Sequence, residues 1–171
     1  MMRADVETMP DLFADEVEEL AGRVEEIYLA PARGRPRVRV ESVRAVAGMG
    51  LEGDRNFGRK DAPGARWKAE RQVTLIEGEA IDAVRGTGRD FTGAEARRNL
   101  VTRGVRLNQL VGRTFRVGGA LLRGVELCHP CAHLGRLTYR DVVRDLHRRG
   151  GLRAEILEGG PISAGDDISA A

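Results

Sequence analysis

The stretch RTFRVGGALLRGVEL, residues 113–127, limits the possible folds more than any other part of this chain. Two strand-like runs, RTFRV and ALLRGVEL, meet at Gly118-Gly119, a dipeptide suited to the positive φ angles of a tight turn. A β-hairpin is the expectation, and similar signals recur along the sequence. RVEEIYLAP and RVRVESV flank a turn rich in Pro and Gly, ARGRP. In the second run Val38 and Val40 alternate with Arg37, Arg39 and Glu41, as in a half-buried strand with the valines inward. RQVTLIE and NLVT read as further strands, and LRAEILEGG and GDDI complete the set.

Two helices interrupt this pattern. EGEAIDAVRG, residues 77–86, reads as a short helix closed by Gly86. TYRDVVRDLHRR reads as a second, with Thr138 as N-cap, Asp141 at the third helical position and Gly150-Gly151 past the end. The strands and helices do not alternate regularly enough for a βαβ array. The expected fold is mainly β: a closed barrel of short, mostly antiparallel strands with a few peripheral helices. At 171 residues the chain can bury such a core without disulfide staples. The Gly-dotted loop at 48–67 is long enough to be functional or disordered, and Trp67 and Lys68 at its end are candidates for a pocket wall.

Charge divides the chain unevenly. Residues 1–20 hold seven acids and one base, so the remainder carries 27 bases against 19 acids, a net of +8. Residues 1–22 are therefore read as an acidic extension and 23–171 as one domain. Leu12, Phe13, Val17 and Leu20 could form one face of a helix there, with Pro10 barring an earlier start; a plain acidic tail is the alternative. The acidic start lacks the basic and apolar regions of a secretory signal, and no apolar run approaches the roughly 18–20 residues of a membrane span. A cytoplasmic protein with no membrane partner is expected. Nucleic acid is not expected as a partner, because four Phe, two Tyr and one Trp leave little for base stacking. Most of the bases are arginines, which suit bidentate binding of phosphate or carboxylate.

Residues 128–133, CHPCAH, hold both cysteines and two of the three histidines. Structural zinc needs four ligands, and Cys128, Cys131 and His133 would give three without a second cysteine pair. Haem attachment needs the histidine directly after the second cysteine, where Ala132 stands. A thioredoxin-like dithiol needs its cysteines at a helix N-terminus, which Pro130 and an expected loop downstream fit poorly. One working thiol with a second nearby, or two half-buried cysteines acting as small apolar residues, are the readings left open.

The order of segments carries more. GLEGDR, RQVTLIE, RRNLVTRGVRLNQLVGRTFRVGG, GVELCHPCAHL, GLRAEILEGG and GDDI follow one another across residues 24–168. Together they resemble a MOSC domain, the module named for the C-terminal part of molybdenum-cofactor sulfurases. The resemblance implies a closed β-barrel and assigns special importance to the cysteine after the proline of a PC pair, here Cys131. That residue is implied to carry sulfur as a persulfide or, in molybdenum enzymes of the family, to ligate the metal. Cys128 lies outside the family pattern and enters only as its neighbour. Gly53, Asp54 and Arg55 match a Gly-Asp-Arg loop, with Asn56 where histidine is frequent; Arg97 and Asn99 match an R-x-N segment; Gly165 and Asp166 match a closing turn. Arg55 and Arg97 are the candidates for the phosphate of a pterin cofactor, whereas Gly53, Gly165 and Asp166 also suit purely structural turns. His129 and His133 are unsupported by the pattern.

Two functions follow from the resemblance. One is a sulfur carrier that takes sulfur from a cysteine-desulfurase-type donor and delivers it to the molybdenum cofactor or another metal centre. The other is a molybdenum-dependent oxidoreductase that reduces N-hydroxylated small molecules with electrons from an external donor. A non-catalytic cofactor-binding module is a third. Pyridoxal phosphate is not expected on this chain, which has no room for the aminotransferase-like domain of full-length sulfurases.

Overall fold

The computed structural model describes residues 19–59 and 69–171. Eleven strands dominate them: β1 (Ala21–Leu29), β2 (Val38–Val40), β3 (Ser42–Val46), β4 (Gly50–Leu51), β5 (Val73–Glu77), β6 (Leu100–Arg103), β7 (Thr114–Val117), β8 (Ala120–Leu127), β9 (Leu152–Glu158), β10 (Gly160–Ser163) and β11 (Asp167–Ala170). Four short helices accompany them: α1 (Gly78–Arg85), α2 (Gly93–Ala96), α3 (Ala132–Leu137) and α4 (Val142–Asp145). Seven strands run in the order β11-β7-β8-β9-β5-β6-β1, and β1 pairs back onto β11 to close a barrel. Strand β2 adds to the far end of β1, while β10, β3 and β4 form a separate small sheet.

Closure depends on β1 serving several partners. Its first residues pair with β11, its middle with β6 and its last three with β2. A register shift between Val24 and Glu26 interrupts the strict inside-outside alternation. Val24 and Ile27, three residues apart, can therefore both lie in the barrel interior, and both are fully buried.

Two apolar cores share the strands between them. Val24, Ile27, Leu75, Leu100, Phe115, Leu122 and Leu152 fill the barrel. Tyr28, Ile76 and Val101 point the other way and pack with Ile81, Val84, Phe91, Leu134, Val142 and Leu146 under the helices. Neighbours such as Leu75 and Ile76 thus serve different cores. This double burial explains the nearly continuous apolar runs VTLIE and NLVT.

The barrel is closed and mostly antiparallel, as expected; its parallel pair is β5 and β6, joined by a crossover through α1 and α2 that makes one βαβ unit. Other expectations are corrected. RVRVESV is broken into β2 and β3, and its burial is inverted at one pair: Val38 is 51% exposed while the Arg37 side chain is 9% exposed, whereas Val40 packs against the core and Arg39 is exposed as expected. Thr138 does not begin a helix. It caps the end of α3, its hydroxyl donating to the Leu134 carbonyl at 2.7 Å, and only the single turn of α4 follows. The segment after Cys131 is therefore helix rather than loop. Gly86 follows α1 as expected, although with right-handed φ −60°. The expected helical face at Leu12, Phe13 and Val17 lies outside the described residues, as do Trp67 and Lys68.

Candidate functional site

Strand β8 ends at Leu127 and delivers Cys128 and Cys131 to the start of α3. Cys128 is buried at 3% exposure and Cys131, the N-cap of α3, is exposed; both are free thiols. The segment is seated on Gly150 and Gly151. The Cys128 amide donates to the Gly151 carbonyl at 2.7 Å, and a β-carbon on Gly150 would run into the Cys128 carbonyl and come within 2.7 Å of Pro130. Gly151 adopts φ +108°, a conformation that L side chains rarely adopt. These glycines were expected as helix stops; their work is to let two backbone segments touch.

Arg98 joins this seat to the strand ahead of it. The capping box of Thr92 and Glu95 starts α2, which ends in left-handed backbone at Arg97, φ 58°. That turn directs Arg98 inward, where it is 9% exposed. Its Nε donates to the Gly150 carbonyl at 2.9 Å and its Nη1 to the Ala96 carbonyl at 3.3 Å. Burial pushes the Arg98 guanidinium below its ordinary range; the thiols of Cys128 and, less strongly, Cys131 favour its charge, while Arg153 and Arg97 oppose it.

A second seat is built around Asp54, 8% exposed. Gly53, at φ +85°, turns the chain so that one Asp54 oxygen accepts from the Ala30 amide (2.9 Å) and the Asn99 side-chain amide (3.1 Å). The other accepts from the Asn56 amide at 3.0 Å. Arg37 supplies the counter-charge, Nη1 to carboxylate 3.7 Å, and its Nη2 donates to the Arg97 carbonyl at 2.9 Å. Burial lowers the Arg37 guanidinium to about 10 despite Asp54, with Arg97, Arg55 and Arg98 adding repulsion. Asn99 is fully occupied: its oxygen accepts from the amide and hydroxyl of Thr74, and its nitrogen donates to the Tyr28 carbonyl and Asp54. It braces β1, β5 and the Gly-Asp-Arg loop.

Both seats open onto one cavity of about 480 Å³. Arg33, Arg37, Arg55, Arg59, Arg71, Arg97, Arg98 and Arg153 line it with Asn99, Cys128, Cys131 and His133, and no carboxylate is among the described lining residues. Arg37 and Arg55 each keep a buried Nε without a hydrogen-bond partner. Burial, and then the charge of Arg55, lowers the Arg97 guanidinium. Guanidinium groups crowded together in such excess over carboxylates form a receptor for an anion.

A family model described as the MOSC domain matches residues 52–169. The chain belongs to the MOSC family. Among solved structures it resembles the YuaD protein of Bacillus subtilis, with a TM-score of 0.74 at 18% identity over 88% of this chain and 95% of that one. It also resembles YiiM from Geobacillus stearothermophilus, with a TM-score of 0.67 at 15% identity over 88% and 75%, and YiiM from Escherichia coli, 0.61 at 19% over 87% and 69%. At these identities the likeness shows the fold alone. No curated protein matches. MOSC domains are associated with the molybdenum cofactor, and strands β1 to β4 of this chain lie ahead of the matched segment.

Of the residues expected at a site, Arg55, Arg97, Asn99, Cys128 and Cys131 line this cavity, and Asn56 and His133 line it too. Gly53 and Asp54 shape its rim from behind. His129 faces a different hollow, with Val111 and Glu126. Gly165 and Asp166 lie away from the cavity, at the barrel seam, where they exchange backbone hydrogen bonds with Val24. Sequence reading missed Arg37, taken for an outward strand residue, and Arg98, hidden between the two named positions of R-x-N. The signal for Arg98 was the capping box TGAE just upstream, which fixes where the chain must turn. Among the described residues no group of three His, Cys, Asp or Glu side chains is arranged to hold a metal ion, and no helix is long and apolar enough to cross a membrane.

Proposed function

We propose that this MOSC protein is a cytoplasmic sulfur carrier for the molybdenum cofactor or another metal centre, with Cys131 as the carrying thiol. The observation that supports it most is the exposed Cys131 on the wall of a cavity whose described lining holds many arginines and no carboxylate. An exposed thiol can be reached by a donor's persulfide. The Cys131 thiolate attacks the donor's outer sulfur, the donor S–S bond breaks with its electrons leaving on the donor thiolate, and the transferred sulfur stays on Cys131 as a persulfide. A cysteine-desulfurase-type protein is the donor proposed here. Cys128, buried beside it, is shielded from the same attack.

The residues present fit the anionic part of a pterin cofactor. The orphaned Nε atoms of Arg37 and Arg55 are buried donors that lack acceptors, and a phosphate supplies acceptors. Arg55 and Arg97 would hold that phosphate, with Asp54 and Asn99 fixing the loops that carry them. Bound there, the cofactor would supply a metal centre able to accept sulfur.

The test is metal and sulfur analysis of protein purified from a host that makes molybdenum cofactor, wild type beside Cys131→Ala. The carrier reading expects cyanide-releasable sulfur in wild type and its loss in the variant. Near-stoichiometric molybdenum that disappears in Cys131→Ala, without releasable sulfur, would instead make Cys131 a metal ligand of an oxidoreductase.

A further inference from the structure

The charge around the two thiols includes Arg98, a cation that the proposed phosphate contacts of Arg55 and Arg97 do not use. Arg98 is nine-tenths buried, its Nε and Nη1 are spent on backbone carbonyls, and no carboxylate pairs with it. A buried cation without a counter-ion is costly. Cys128 and Cys131 line the same cavity as Arg98, and in their thiolate form they favour its charge. The same wall carries Arg55 and Arg97, which also have no carboxylate partner. Cations beside a thiol favour the thiolate whatever it attacks. A thiolate that attacks an anion needs them a second time, because two negative reactants repel each other until fixed positive charge screens them.

We propose that the cavity admits a small anionic sulfane-sulfur compound, with thiosulfate as the simplest, and that Cys131 takes sulfur from it directly. This rests on the carrier reading above and adds a low-molecular-weight donor to it. The Cys131 Sγ thiolate attacks the outer sulfur of thiosulfate. The S–S bond of thiosulfate breaks and its electron pair leaves with sulfite, while a new Sγ–S bond forms. One thiolate and one dianion give one persulfide anion and one sulfite dianion, so atoms and charge balance without a further oxidant or proton. Arg98 acts as a positioning residue, holding opposite charge beside the thiol as the dianion enters.

The experiment uses the full chain, reduced and then incubated with thiosulfate. Sulfite release is measured together with the mass of the peptide that holds Cys131, and a parallel sample is charged by a cysteine desulfurase acting on cysteine. One added sulfur on Cys131 with one sulfite released is the expected result. Sulfate, a dianion of similar size without transferable sulfur, should raise the apparent KM for thiosulfate in wild type and leave the maximal rate unchanged, a readout that needs no variant to fold. Arg98→Met should raise that KM about ten-fold or more, as expected for loss of one charge-assisted contact, and Arg98→Lys should recover part of it. Loading by the desulfurase with no sulfite from thiosulfate would overturn this proposal and leave the carrier reading standing. Loading by neither donor would overturn both.

Discussion

The barrel interior and the cavity at its rim are built from the same strands by opposite rules. Inside, Phe115, Leu75, Leu100, Leu122 and Leu152 are fully buried among aliphatic neighbours. At the rim, β6 is preceded by Arg97, Arg98 and Asn99, and two of those three are also buried. Apolar side chains gain by leaving water, at roughly 25 cal/mol per Å², whereas a guanidinium loses unless something answers its charge. At the rim Asp54 answers Arg37 and Glu126 answers Arg153, but Arg55, Arg97 and Arg98 have no carboxylate partner among the described residues. The difference shows where stability is made and where it is given up: the interior stabilises the fold, and the cavity holds more positive charge than the described carboxylates answer.

The largest effect should come from the interior. Phe115→Ala removes a side chain with no exposed surface in a closed barrel, so it should destabilise by about 3–5 kcal/mol. A shift of the urea midpoint at constant slope measures this. A loss under about 1 kcal/mol would mean that the barrel collapses around the hole, and that the interior holds the fold no more tightly than the rim.

Asp54→Ala tests the boundary between the two regions. It leaves Arg37 buried beside Arg97 and Arg55 without its carboxylate, and it orphans the amides of Ala30 and Asn56. Breaking a buried pair typically costs about 3–5 kcal/mol. The same denaturation series reads it. A near-neutral result would show that Arg37 swings into water and that the loop is not braced by Asp54.

The same contrast governs what could be read in the sequence. The barrel was legible because its information is local: alternation, glycine turns and short apolar runs each mark an element. The inversion at Arg37 and Val38 was not legible, since hydropathy assigns a valine inward and an arginine outward, and the reason for the reverse is an aspartate on another loop. Cys131, Arg55 and Arg97 could be singled out by resemblance, but their meeting in one cavity needed the closure of β1 onto β11 and the seat of Gly150-Gly151. Asn99 was singled out as a binder. Its four hydrogen bonds to Thr74, Tyr28 and Asp54 show a brace, a role that no local pattern distinguishes from contact with a ligand.

The smallest effect should also have the opposite sign. Burial first, and the charge of Arg55 second, lower the Arg97 guanidinium. A base whose folded value lies below its unfolded value is penalised in the folded state wherever it is charged in both. The penalty is therefore complete at neutral pH and is relieved only as pH rises through the folded value. Among the described residues the Arg97 side chain donates one hydrogen bond, a long one of 3.4 Å to the exposed Arg35 carbonyl, so little is lost with it. Arg97→Met keeps the length of the side chain and removes its charge, and, with solvent screening most of the repulsion, it should stabilise the ligand-free protein by no more than about 0.5 kcal/mol. Phosphate should reverse the ranking. A ligand that binds the folded state alone raises stability with its concentration, so phosphate should raise the melting temperature of wild type above that in chloride of equal ionic strength. The variant, with binding weakened about ten-fold, should need correspondingly more phosphate for the same rise. Thermal unfolding of both proteins in the two salts measures the pair of effects at once. A variant less stable in chloride would place Arg97 with the interior, as a residue that supports the fold, rather than with the charges held for a ligand.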